Sequence, residues 1–270
     1  MMNKITTIGL AILLIASCTE GEKTTDVEMK EETMADEIMQ SEIQLIPIKG
    51  PAEIPGAALK TVVPENGSKV ENGLLKVNYE VSAFTLGTPT SERTDYDLAE
   101  SEKGQHIHAI LNNEPYMAHY EPMFSKDLSE GQYLLLSFLS RSYHLSLKNE
   151  GAAELIQFTV GTPDQEPYDL SQPLLFYSRP KGSYDIGKKP DVLLDFYVMN
   201  CQLSESGYKI KADIAGTDFT IDSWQPYIIQ GLTEGNHTVT LELMDSEGNT
   251  VNSPFNPVTR NIEITNASAQ

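Results

Sequence analysis

Val77–Leu86, VNYEVSAFTL, and Leu194–Leu203, LDFYVMNCQL, read as two versions of one strand, with Tyr79 over Phe196, Val81 over Val198 and Leu86 over Leu203. The match extends outward in constant order. Gly104–Ala109 (GQHIHA) lies over Gly207–Ala212 (GYKIKA), Tyr120-Glu121-Pro122 over Trp224-Gln225-Pro226, and LSEGQY from Leu128 over LTEGNH from Leu232. Pro64, Gly67 and Ser68 enter the first copy as Pro180, Gly182 and Ser183 enter the second. The offset falls from 117 to 103 across Gly87–Glu100, which marks a fourteen-residue insertion in the first copy. Two homologous domains in tandem follow, placed at 57–162 and 172–266 and joined by a linker containing Pro163, Pro167 and Pro173.

Each copy alternates apolar and polar residues over short runs. Leu75-Val77-Tyr79-Val81 and Leu194-Phe196-Val198 have the period of two that half-buried strands require, and Val239-Leu241-Leu243 runs into Asp245-Ser246-Glu247-Gly248-Asn249, a hairpin signal. No segment sustains a helical apolar period, so the chain is predicted to be all-β. Six or seven strands per copy match a tandem pair of immunoglobulin-like or fibronectin III-like β-sandwiches, without the Cys-Trp-Cys core of antibody domains.

The first copy is preceded by two segments of different character. Lys4 followed by the apolar run Ile8–Ile15 is too short to span a bilayer and has the form of an export signal. Ile15-Ala16-Ser17-Cys18 resembles the bacterial lipobox, which implies a signal peptide over 1–17 and acylation of Cys18. Residues 18–55 read as a disordered tether, because 19–55 carry ten acids, three bases and no aromatic side chain. The expected partner at this end is a membrane, held through the lipid. Over the full 270 residues, 39 acids against 19 bases give a net charge of −20, which excludes a nucleic-acid partner because phosphate neutralisation needs clustered bases.

The repeat acts as an internal control on single residues. In the second copy Ile210, Ala212 and Ile214 share one strand face and Lys209, Lys211 and Asp213 the other, so the lysine face is read as solvated. By position His106 and His108 then point out of the first domain while Ile107, Ala109 and Leu111 point in. Two histidines on one strand face suit metal ligation, by copper or zinc, or a paired contact to a ligand; as replacements for Lys they also suit a solvated face. Met117, His119 and Met123 follow, a set of donors that suits copper. Tyr116, His119 and Arg141 join the two histidines as candidate ligand-binding residues. Cys201 falls on the core position of Phe84 and reads as a buried thiol, and His237 as structural. With no nucleophile motif and no paired acid and base, the chain is expected to be non-catalytic and without a cofactor.

Several longer motifs carry a family likeness. GQHIHAILNNEPY from Gly104, FLSRSYHLSLKN from Phe138, LLFYSRPKGSY from Leu174, VLLDFYVMNC from Val192 and WQPYIIQGL from Trp224 resemble the Bacteroidetes envelope lipoproteins named phosphopeptide-binding proteins. Ser140–His144 (SRSYH) also resembles the Ser-Arg-x-His run of forkhead-associated domains, with one residue more and without their upstream Gly-Arg pair. Gly104–Asn112 is similar to the Gly-His-rich strand of small periplasmic β-sandwich proteins, some of which handle copper. The resemblance implies a lipid-anchored binding protein of the outer membrane, on its periplasmic face or at the cell surface, that takes a peptide, protein or glycan ligand. The alternative is an envelope module that binds copper or zinc through His106 and His108. Cys18→Ala is expected to leave an unprocessed or mislocalised precursor, and the wild type is expected to enter the detergent phase of a detergent extraction. Recovery of the wild type in the aqueous phase contradicts the lipid anchor.

Overall fold

The computed structural model describes residues 42–49, 53–92 and 94–267; the signal peptide, Cys18 and residues 19–41 of the tether lie outside them. Seventeen strands and a single 3-10 turn at Glu71–Gly73 make up the regular structure of the described residues. No helix among them is long and apolar enough to cross a membrane.

The first eight strands of the repeat are β2 (Ala58–Val63), β3 (Ser68–Val70), β4 (Leu74–Ser82), β5 (His106–Leu111), β6 (Met117–His119), β7 (Met123–Asp127), β8 (Gly131–Ser140) and β9 (Ala153–Val160). They form a three-stranded sheet, β2-β4-β7, and a five-stranded sheet, β3-β9-β8-β5-β6. The second copy supplies β10 (Leu174–Arg179), β11 (Gly182–Asp185), β12 (Val192–Met199), β13 (Lys209–Ile214), β14 (Thr217–Ile221), β15 (Tyr227–Gln230), β16 (Gly235–Met244) and β17 (Val258–Thr265). Their order is β15-β12-β10 and β11-β17-β16-β13-β14, strand for strand that of the first copy. Even the parallel pairs correspond, β3 with β9 and β11 with β17. This is the immunoglobulin and fibronectin III arrangement, with the opening strand divided between two sheets.

Alternation explains the two cores. Leu75, Val77 and Tyr79 of β4 meet Ile107, Ala109 and Leu111 of β5 and Phe158 of β9 inside the first sandwich. In the second, Leu194 and Phe196 of β12 meet Ile210, Ala212 and Ile214 of β13 and Leu241 of β16. Cys201 packs at the edge of this core, and burial pushes its thiol pKa up to about 11.

A third and a fourth cluster lie between the sandwiches. Ile110, Leu134, Leu136 and Phe138, from the outer face of the first five-stranded sheet, pack on Leu174, Phe176 and Tyr197, from the outer face of the second three-stranded sheet. Tyr143 and Leu145 meet Leu193 and Ile228 beside them. The four sheets therefore stack in layers, and the two middle ones are covered on both sides. The Gly87–Glu100 insertion serves the same junction: Leu98 is buried with Leu193 and bridges to Asp191, the Asp97 N–H donates to the Asp191 carboxylate at 2.8 Å, and Lys189 pairs with Asp97.

The expected tether ends earlier than residue 55. Gln44–Pro47 forms β1, which pairs antiparallel with β15 and extends the second domain's three-stranded sheet. The cause is an open strand edge that offers backbone partners, with Ile43 and Leu45 docking on one core and Ile46 and Ile48 on the other.

One ion pair sits inside the junction. Lys148 Nζ donates to Asp195 Oδ1 at 2.7 Å and to the Phe196 carbonyl at 3.0 Å, over the rings of Tyr197 and Trp224. Asp195 is fully buried. Asp195→Ala strands a buried ammonium and is expected to cost about 3–5 kcal/mol in urea unfolding, whereas the paired change Lys148→Met with Asp195→Leu recovers most of that loss.

Candidate metal centre at the domain junction

β5 carries His106 and His108 two residues apart, so both rings leave the same face of the strand. That face is the one covered by the second domain. Both side chains have 0% relative exposure, which overturns the reading of a solvated strand face. The residues that replace lysine with histidine here mark an internal contact, and the partner that covers them is the other half of the same chain.

A third imidazole joins them. His144 stands in the turn between β8 and β9, where its N–H donates to the Arg141 carbonyl at 2.9 Å and its φ is 65°. His106 Nε2 lies 2.9 Å from His108 Nε2 and 3.1 Å from His144 Nδ1, and one ring nitrogen from each of the three falls within 4.8 Å of the others. His106 pairs with Ser140 across β5 and β8, so a histidine four residues beyond Ser140 returns to the same end of the sheet. That register is set by the fold, so no pattern in the sequence placed His144 with the other two.

Tautomers follow from the outer partners. His106 Nδ1 faces the Gly104 carbonyl at 2.8 Å and must donate to it, which leaves Nε2 as an acceptor with one lone pair. Gly104 is irreplaceable in this role: its φ is +84° and a Cβ would stand 2.3 Å from the Thr88 carbonyl oxygen. Two imidazole nitrogens approach that single lone pair, and only one can deliver a hydrogen to it with good geometry. Three lone pairs facing a shared cation resolve the conflict, since metal–nitrogen bonds of about 2.0–2.1 Å place tetrahedral ligand nitrogens about 3.3 Å apart. His108 Nδ1 sits 3.3 Å from Ser178 Oγ of the second domain, an outer contact of the kind that orients metal-binding imidazoles.

Burial, reinforced by neighbouring charge, keeps the rings neutral. Burial lowers the His106 pKa to about 4, against the Gly104 hydrogen bond and with Arg179 adding to the fall. His108 and His144 are lowered further, first by burial, then for His108 by the neighbouring imidazoles ahead of Arg179 and Lys181, and for His144 by Arg179 ahead of His106 and Lys181. At neutral pH all three offer lone pairs, the form a metal takes.

The other candidates divide. Tyr116 belongs to the centre: its ring stacks on His108 at 3.6 Å and 10°, and Lys181 Nζ lies 4.3 Å from its centroid while donating to its carbonyl at 2.7 Å. Burial raises its pKa to about 12, against Arg179. His119 does not belong. It pairs with Ile107 in register, faces the first core and stacks on Phe124 at 3.7 Å. Met117 packs in that core and Met123 is 66% exposed, so the expected Met and His donor set is not assembled. Period two sends Met117 and His119 to the face opposite His108. Arg141, 2% exposed, stands apart as well and lines a cleft of about 250 Å³ with Lys148 and Trp224. Ser142 of the same run is buried, its Oγ accepting the Thr90 N–H at 2.8 Å. His237, expected to be structural, has its Nε2 2.7 Å from the Thr233 carbonyl in the second domain.

No protein-family model matches the chain, and no curated protein is similar to it. Among solved structures it is similar to the fibronectin(III)-like modules of Clostridium thermocellum CbhA, with 11% identity and a TM-score of 0.29 over 78% of this chain and 96% of that one. It is also similar to SGBP-B of the Bacteroides ovatus mixed-linkage glucan utilization locus, solved with a heptasaccharide, at 12% identity and TM-score 0.24 over 78% of this chain and 48% of that one. A third is the central fibronectin-III array of RIM-binding protein, at 8% identity and TM-score 0.24 over 83% and 68% of the two chains. The fold class of this chain stands on its own strand order.

His119 yields a test of the burial around this strand pair. Its pKa is lowered to about 4 by burial, and its Nε2 has no hydrogen-bond partner. A folded pKa below the unfolded value of about 6.5 means that the unfolded chain binds the proton first, so stability present above pH 6.5 is lost as pH falls toward 4. His119→Phe is expected to flatten the fall in melting temperature over that window; an unchanged slope contradicts it.

Proposed function

We propose that the chain is a lipid-anchored, non-catalytic module of the cell envelope that holds one transition-metal ion, copper or zinc, on His106, His108 and His144. The observation that carries the reading is the convergence of three neutral ring nitrogens on a point where hydrogen bonding satisfies only two of them. The outer contacts to Gly104 and Ser178 support it, because they hold two of the rings with Nε2 facing inward. All three ligands come from the first domain, while the second domain closes over them through Ser178, Arg179 and Lys181. Envelope placement rests on the leader and on Cys18, and the site suits a module that carries or buffers an ion rather than one that transforms a substrate.

The test is calorimetric titration of chelator-treated protein with Zn²⁺ and Cu²⁺. One equivalent is expected to bind, and His144→Ala is expected to weaken binding at least 100-fold while near-native far-UV circular dichroism is kept. Absence of binding heat and of any rise in melting temperature with either ion contradicts the proposal.

A further inference from the structure

The charge around the three imidazoles restricts which ion the site takes. Its donor set is entirely neutral: among the described residues, the group placed to hold a metal contains His106, His108 and His144 and neither a carboxylate nor a thiolate. Bound charge is therefore not offset by the ligands. Two cations from the second domain stand beside it. Arg179 is buried, with its guanidinium carbon 5.3 Å from the Tyr116 ring centroid, and it donates through Nη1 to the Tyr184 hydroxyl at 2.8 Å while its Nε has no partner. Lys181 Nζ is 4.3 Å from the same ring, which stacks on His108. The acid that acts on Arg179, Asp195, is already held by Lys148 at 2.7 Å. Positive charge in this junction exceeds negative charge before any metal arrives.

Each added unit of charge meets that excess in a medium of low dielectric, so a divalent ion is penalised about twice as heavily as a monovalent one. Coordination number points the same way. Zinc completes a tetrahedron with a fourth ligand, commonly water, when the protein supplies three. Here His108 is roofed by Tyr116, Tyr120 lies 5.1 Å from His106, and both histidines are without exposed surface, so solvent approaches the group only from the side of the half-buried His144. Imidazole by itself suits both copper and zinc, so ligand type does not choose between them.

We propose that the centre selects monovalent copper over divalent ions, with Arg179 and Lys181 acting as the electrostatic filter. This rests on the metal-binding reading above and adds the identity and charge of the ion. Discrimination then comes from the second domain, and ligation from the first.

The experiment is an anaerobic competition titration of the full chain in detergent, Cu⁺ against bicinchoninate and Zn²⁺ against a chromophoric zinc chelator. Wild type is expected to take one Cu⁺ at least about 1,000-fold more tightly than Zn²⁺. Lys181→Met, at a half-buried position, and Arg179→Met are each expected to narrow that ratio at least tenfold, mainly by tightening Zn²⁺; the lysine variant keeps the test informative should the arginine variant fail to fold. Equal affinity for the two ions in wild type overturns the selectivity and leaves the metal site standing. Failure of both ions to bind overturns the site itself. A ratio unchanged in the folded variants overturns the filter.

Discussion

The junction between the two sandwiches depends on the outer face of one sheet being buried against the outer face of another. Ile110, Leu134, Leu136 and Phe138 of the first domain are covered by Leu174, Phe176 and Tyr197 of the second, and each such side chain contributes about 1.5–3 kcal/mol when fully withdrawn from water. That contact makes a four-layer body out of two modules. It also creates the environment in which His106 and His108 are fully buried and neutral, the Arg179 guanidinium is buried, and an aspartate must be met by a lysine.

The two copies show how one fold was fitted to opposite ends of the stack. Outward positions of β8 and β5 are Leu134, Leu136, Phe138 and Ile110, while their counterparts in the second domain are Thr238, Thr240, Glu242 and Asp213. The three-stranded sheets reverse the pattern: Lys76 and Glu80 in the first domain correspond to Leu193 and Tyr197 in the second. The two middle faces are the apolar ones that meet, while Val63, Leu74 and Met123 leave exposed apolar side chains on the outer face of β2-β4-β7. The insertion at Gly87–Glu100 and the strand Gln44–Pro47 both reinforce the junction, one from inside the first domain and one from the segment before it.

Placing a polar centre in such a junction carries a cost, which the outer contacts offset. The Gly104 carbonyl and Ser178 hydroxyl each meet an imidazole nitrogen, Tyr116 covers the ring of His108, and Tyr184 receives both Arg179 and the Lys181 N–H. The three imidazoles and the two cations belong to different domains. Any ion held there experiences the packing of one domain on the other directly.

Alternation along each strand is local, and it was enough to determine the all-β class, the two sandwiches and the inward residues of both cores. Tyr79 with Phe196 and Ala109 with Ala212 occupy the equivalent core positions that the repeat assigns them. Alternation also divides residues between two faces, which is why His106 and His108 were correctly grouped. It does not say what lies opposite a face. The unbroken apolar run Leu134–Leu136 with Phe138 and Leu139 was the one local sign that both sides of β8 are covered, since a strand with a wet face does not lose its polar residues. What covers that face, the arrival of His144 on a turn, the nearness of Arg179 and Lys181 and the pairing of Gln44–Pro47 with β15 were decided by tertiary structure. Each joins segments far apart in the chain, and such contacts form only when apolar surfaces outside the pattern of any one strand find each other.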